Sequence, residues 1–203
     1  MYLMHGVREE LSQRRFMTIS CFFAAPVGKE YRKVTFDFAD EGVSEQMMIR
    51  PIDQTDRKQV DAFIVQQWYT LQMVAHGERI DLGSADGFCT CDRDEITGLV
   101  TYRVSGKEME ILSLDSLREH KGIGTLLLNA AIRKARDSGL ERIMLITTND
   151  NLPALRFYQK RGFDLARLYC NALDQARKIK PEIPLTGMDG IPLKHEIELE
   201  MIL

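Results

Sequence analysis

Between Glu108 and Thr147 the chain reads strand, glycine-bearing loop, long amphipathic helix, strand, and that order confines it to a sheet carrying helices on its faces. The first of these strands, Glu108 to Leu114, follows the turn Ser105-Gly106. Past Gly122 and Gly124, the residues Leu126, Leu127, Ala130, Ala131, Ile132 and Ala135 recur at helical spacing until Gly139 stops the run, and Arg142 to Thr147 is an apolar strand. A second helix is expected over Leu152 to Arg161, with Pro153 in its first turn and Gly162 at its C-terminal end. Phe163 to Cys170 and Ile197 to Ile202 read as the closing strands. Upstream, Met48 to Ile52, Gly87 to Cys91 and Ile96 to Val104 have strand character, and Asp56 to Tyr69 carries Val60, Phe63, Ile64 and Trp68 at helical spacing behind an Asp cap. Antiparallel strands followed by strand, helix, strand, helix, strand predict an α/β fold with a mixed sheet.

Composition excludes the extremes. The 203 residues are 44% hydrophobic and 28% charged, too apolar for disorder, and no run approaches the ~20 apolar residues of a membrane span. A net charge of -3 argues against a surface wholly given to nucleic acid, yet residues 106–180 hold 14 basic and 9 acidic side chains. Four cysteines are too few for a disulfide framework, and Cys89-Thr90-Cys91 lacks zinc or redox spacing, so all four are read as reduced thiols of a cytoplasmic protein without a metal site. Arg14-Arg15 ahead of an apolar stretch mimics an export signal poorly, because Thr18, Ser20 and Cys21 interrupt it. The preferred reading is a β-hairpin, Phe16 to Ala24 against Tyr31 to Phe38, within an N-terminal extension of residues 1–47, the main domain occupying 48–203.

Two loops carry the chemistry. In Glu119-His120-Lys121-Gly122-Ile123-Gly124-Thr125 the glycines admit a close backbone approach, and the first amides of the following helix point outward with the positive end of its dipole behind them. This is a phosphate cradle in outline. No Gly-Lys-Ser/Thr follows, and Leu127 stands where a dinucleotide fingerprint needs its third glycine. In the second loop Asn151 opens a helix and Tyr158 lies seven residues on, two turns along the same face. Taken singly, each is equally an N-cap asparagine and a half-buried tyrosine.

Together, Glu119-x-x-Gly122-x-Gly124 and Asn151-x-x-Ala154-Leu155-x-Phe157-Tyr158-x-Lys160-x-Gly162-Phe163 resemble the acetyl-coenzyme A site of the GNAT superfamily of N-acetyltransferases over about residues 48–203. The family usually has Gln or Arg in place of Glu119 and often Gly in place of His120. Ser113 to Leu117 and the tail Lys180 to Pro192 look like a bacterial subgroup of it. The resemblance implies a centrally splayed sheet open between the strands ending at Ser116 and Thr148. Acetyl-coenzyme A or coenzyme A would lie there as co-substrate, pantetheine pairing with backbone around Leu114 to Ser116, and the pyrophosphate on the amides of His120, Lys121, Gly122, Ile123, Gly124 and Thr125, with Asn151 nearby.

The same resemblance implies attack of an amine on the thioester. An alkylamine is protonated at neutral pH, so a base is needed, and Glu110 matches the family's carboxylate, with Glu108 as its rival on the same strand. A backbone N–H near Leu114 would stabilise the oxyanion, and Tyr158 would protonate the departing thiolate. Trp68, Tyr69 and His76 fall where the family builds its acceptor pocket. The expected acceptor is a small-molecule or peptide amine, with no nucleic-acid or membrane partner. The alternative is an acyl-coenzyme A sensor without turnover, with residues 1–47 serving as a homodimerisation hairpin.

Overall fold

The computed structural model describes residues 48–203 except 93, 94, 119 and 120, together with the backbone of Ile19 and Ser20. The expected hairpin within residues 1–47 therefore lies outside the described residues, apart from the two-residue strand β1 (Ile19–Ser20). The main sheet runs β2 (Met48–Pro51), β5 (Asp86–Asp92), β6 (Glu95–Ser105), β7 (Glu108–Ser116), β8 (Arg142–Thr148), β10 (Glu196–Ile202) and β9 (Asp164–Tyr169) in spatial order. Every neighbouring pair is antiparallel except β7 with β8, which are parallel and joined by the helix α2 (Ile123–Asp137). The mixed α/β architecture expected from the sequence is the one observed.

The sheet is covered differently on its two faces. On one, α2 and α3 (Leu152–Gln159) close a core of Val100, Met109, Ile111, Leu127, Leu128, Leu145, Phe157 and Tyr158. On the other, α1 (Arg57–Trp68) and a separate hairpin, β3 (Gln72–Ala75) with β4 (Glu78–Asp81), cover Leu99, Leu112, Met144 and Ile146. That hairpin was not expected from the sequence. Its strands are short, and it turns at His76-Gly77, where both residues take positive φ as a tight two-residue hairpin loop requires. Also unexpected is α4 (Ala172–Ile179), which buries Leu173 and Ala176 and is shorter than the window over which a helical period is read. The cap of α1 lies earlier than expected. Asp53 accepts from Thr55 N at 2.7 Å, and Asp56 returns a bond to Asp53 N, opening a short 3₁₀ turn that runs into the helix.

One irregularity decides the centre of the molecule. Thr101 pairs with Ser113 and Tyr102 with Ile111, so Leu112 is an extra residue in β7, a bulge that increases local twist. Pairing between β7 and β8 ends at the same level, with Ile111 opposite Leu145. Beyond it both strands continue, to Ser116 and Thr148, without bonding to one another. The splay expected from the family resemblance is thus present. In it, Ile19 and Ser20 pair antiparallel with Leu114 and Ser113.

Two contacts hold the mouth of this gap. Gly98 lets α2 press on β6, because a Cβ there would lie 2.5 Å from the Ile123 side chain and 3.0 Å from that of Leu127. The segment ahead of β10 is tied to the β8–α3 loop: Asn149 Oδ1 accepts from Lys194 N and His195 N at 2.9 and 2.8 Å, and Asp150 accepts from Met188 N at 2.8 Å. Because room at Gly98 is what seats α2, Gly98→Ala should cost about 1–3 kcal/mol, the usual price of overpacking. Denaturant titration should show a lower midpoint with an unchanged slope.

Candidate active site

The parallel strands β7 and β8 both end at the open side of the splay, the place where open α/β sheets bind ligands. There α2 begins after Gly122, whose φ of +74° only glycine adopts without strain. Leu126 N donates to Gly122 O, whereas the amides of Ile123, Gly124 and Thr125 precede the first possible intrahelical partner and face outward with the helix dipole. Ile123 is itself buried and anchors the turn, and Gly124 lies against the Phe157 ring, 3.5 Å from a would-be Cβ. Lys121 is exposed beside them. His120 lies outside the described residues. Leu114 is buried along the gap, and the Ser116 hydroxyl donates to Arg118 O within its own loop.

A cation that the sequence reading passed over completes this side. Arg161 Nη2 donates to Thr125 Oγ1 at 2.6 Å, Nη1 donates to Phe157 O at 2.8 Å, and the guanidinium sits 3.6 Å from the Phe157 ring centroid. It thereby carries a positive charge to the first turn of α2, in a loop whose Glu119 supplies the opposite sign. The signal was available as the residue before Gly162 in the second motif.

Asn151 is the N-cap of α3, its Oδ1 accepting from Ala154 N at 3.1 Å, with 5% of the residue exposed. That side-chain oxygen is committed to the cap rather than presented to a ligand. Tyr158 is wholly buried on the same helix, edge-on to Phe157 and tilted against Phe163 at ring separations of 5.2 and 5.3 Å.

The opposite face of β7 carries the acids. Glu110 is 6% exposed; its Oε2 accepts from Arg103 Nε, and its Oε1 has no hydrogen-bond partner among the described residues. Burial pushes the Glu110 carboxyl above its ordinary range, with Arg103 opposing. Glu108 is instead exposed and paired with Arg142 at 3.2 Å. The bulge lies beyond both residues, so it does not exchange their faces, and burial alone separates them. Both line an open basin of about 780 Å³ together with His76, Arg103, Arg142 and Tyr169. The His76 ring packs edge-on to Tyr169 and its backbone N–H donates to the buried Glu196, while Tyr69 is exposed at the end of α1. Trp68 Nε1 donates at 3.2 Å to Asp115, an acid absent from the expected site. Asp115 is 3% exposed, and burial pushes it up to about 7 against hydrogen bonds from Trp68 and Ser113.

The geometry is a splayed mixed sheet with a helix N-terminus at the gap and a buried carboxylate beside it. Residues 50–163 match the family described as Acetyltransferase (GNAT) family. The chain belongs to the GNAT family of acetyltransferases. It is 45% identical over 154 residues to the uncharacterized protein YxbD of Bacillus subtilis, covering 75% of this chain and 97% of that one. In three dimensions it is similar to an acetyltransferase of Bacillus subtilis in complex with coenzyme A, with a TM-score of 0.56 at 19% identity over 77% of this chain and 99% of the other. A GNAT family acetyltransferase from Elizabethkingia anophelis with acetyl-coenzyme A bound gives a TM-score of 0.56 at 20% identity, over 77% and 98% of the two chains. Among the described residues, no helix is long and apolar enough to cross a membrane, and Cys89, Cys91 and Cys170 are free thiols; Cys21 lies outside the described residues.

Asp115 makes stability depend on pH. The folded chain holds this proton up to about pH 7, whereas an unfolded aspartate releases it near ~3.9, so folding binds a proton between these values and this contribution falls as pH rises from 4 to 7. Asp115→Asn should remove that slope. Denaturation midpoints measured across this window should draw apart from wild type as pH rises, in favour of the variant.

Proposed function

We propose that this chain moves an acetyl group from acetyl-coenzyme A to a primary amine by direct attack. The observation that carries the reading is the parting of β7 from β8 beyond Ile111 and Leu145, at the end of the sheet where α2 begins. Its width suits an extended, amide-bearing ligand, since the backbone of Ile19 and Ser20 pairs with Leu114 and Ser113 there. Pantetheine has the same chemistry, and in this reading it takes the place of β1 along Leu114 to Ser116. The pyrophosphate rests on the amides of Lys121 to Thr125, where Gly122 and Gly124 keep side chains away and Arg161 adds charge. Asn151 serves by holding the start of α3. Residues 1–47 are an extension added to the catalytic domain of 48–203, consistent with the relative YxbD being almost wholly spanned by three quarters of this chain.

When bound, the thioester supplies the acetyl group and a thiolate leaving group. The chain's own residues manage charge and protons. The free oxygen of Glu110 accepts a proton from the incoming ammonium, directly or through water, and burial has already raised its affinity for that proton. The Leu114 N–H faces the developing oxyanion. Tyr158 donates its hydroxyl proton to the departing sulfur, from packing by Phe157 and Phe163 that excludes water.

Binding is tested by thermal shift. Coenzyme A should raise the melting temperature, and Arg161→Ala and Gly124→Glu should each reduce the shift. The chain begun at Met48 should bind more tightly than the full chain, because β1 no longer lies along Leu114. No shift with coenzyme A or acetyl-coenzyme A would overturn the assignment. Tyr158→Phe keeps the ring and removes one O–H, so coenzyme A affinity should hold while kcat falls roughly 10²–10⁴-fold. Full turnover in that variant would remove the general-acid role.

A further inference from the structure

The charged groups of the basin beside Glu110 are unequally committed. Arg103 is bound to Glu110, and Arg142 is shared among Glu108, Glu198 and Glu200. Glu198 is also held by the Tyr169 hydroxyl. Arg167, on β9, lines the same basin and is exposed; its guanidinium lies 5.7 Å from the Tyr169 ring centroid, interacts with that tyrosine and feels the charge of Glu198 opposite it, and makes no close ion pair among the described residues. Two opposite groups are thus left for a ligand: the buried Oε1 of Glu110 for a cation, and the Arg167 guanidinium for an anion.

Their placement follows from the sheet. Glu110 stands on β7 opposite Met144, Met144 opposite Glu200, and Arg167 opposite Glu198 on the far side of β10. Three strand spacings and a two-residue offset along the strands separate their backbones, about 16 Å. Most of that span is taken up by the two side chains, which leaves room for an amine and an anion a few bonds apart. The basin's level on β7 is the apex of the splay, because Glu110 immediately precedes Ile111, the last residue paired with β8.

We infer that the acceptor is a small zwitterionic amine, its ammonium meeting Glu110 and its carboxylate or phosphate meeting Arg167. This rests on the acetyl-transfer reading above and narrows it. A diamine or polyamine would place its second cation against Arg167 and be disfavoured by like charge, whereas a neutral alkylamine would leave that guanidinium without a partner. Arg167 is in this account a specificity-determining residue. It presents a planar pair of donors that suits either a carboxylate or a phosphate.

The test compares matched acceptors on the full chain by the rate of thiol release from acetyl-coenzyme A. One arm sets an aminoalkyl carboxylate against the alkylamine lacking the carboxylate, a second sets an aminoalkyl phosphate against its alcohol, and a third uses a diamine. The wild-type protein should favour at least one anionic acceptor over its neutral partner by about tenfold or more in kcat/KM, the worth of one charge-assisted hydrogen bond. The carboxylate and phosphate arms decide which anion it is. Arg167→Ala should collapse the preference mainly through KM, Arg167→Lys should restore part of it, and Arg167→Glu should turn it toward the diamine. A wild-type preference for the diamine or the neutral amine, or an undiminished anion preference in Arg167→Ala, would overturn the inference. If no amine is acetylated, the transfer reading itself fails. Calorimetric binding of the same acceptors to the coenzyme A-saturated protein then reads the anion preference independently, and equal binding by wild type and Arg167→Ala refutes it.

Discussion

The structure depends on a single failure of strand pairing at the centre of the sheet. Backbone amides and carbonyls away from water must find partners, and an interior strand ordinarily finds them on both sides. Past Ile111 and Leu145, β7 and β8 have each lost one neighbour, at the level where Leu112 is inserted as a bulge. An extended chain with its own amides can satisfy the exposed edge, and the pairing of Ile19 and Ser20 with β7 shows a segment of polypeptide doing so. A ligand of the same shape and hydrogen-bonding character meets the same edge.

Two unlike cores keep the wedge open. On one face α2 and α3 pack tightly enough that Gly98 has no room for a side chain and Tyr158 has no exposed surface. This side supplies rigid apolar packing and a helix N-terminus. On the other face α1 and the β3–β4 hairpin cover only part of the sheet, and the rest becomes a basin walled by acids and arginines. The same strand, β7, faces both. Its carboxylates Glu110 and Asp115 are both buried next to the gap, and burial raises the proton affinity of each.

The arginines divide between building and recognition. Arg142 ties three acids from β7 and β10 into one network, which fixes the floor of the basin. Arg161 is held by Thr125 and the Phe157 ring, so its charge stands at a defined place beside α2. Arg167 remains exposed at the rim, against Tyr169 and within the field of Glu198, without a close ion pair among the described residues. Charges already committed to internal partners add little to recognition of a ligand, whereas an uncommitted one at a rim acts on specificity.

Much of the fold was legible because its signals are local. Helical spacing from Leu126 to Ala135, ended by Gly139, and the apolar run from Arg142 to Thr147 specify elements by short-range packing periods, and both stand where expected. Gly122 was legible for the same reason, since a left-handed residue ahead of a helix is a backbone property of one position. The hairpin at His76-Gly77 and the helix α4 were not, because each element is shorter than the window over which a period can be read. The difference in burial between Glu110 and Glu108 could not be read from a strand on which both share a face, because it depends on side chains brought by neighbouring strands. The sequence by itself determined the element order and the glycine loop, which depend on residues a few positions apart. Only the tertiary structure decided the charge commitments of Arg161, Arg167 and Asp115, because their partners come from elements 36 to 47 residues away or, for Arg167, are absent from the ion pairs of the described chain.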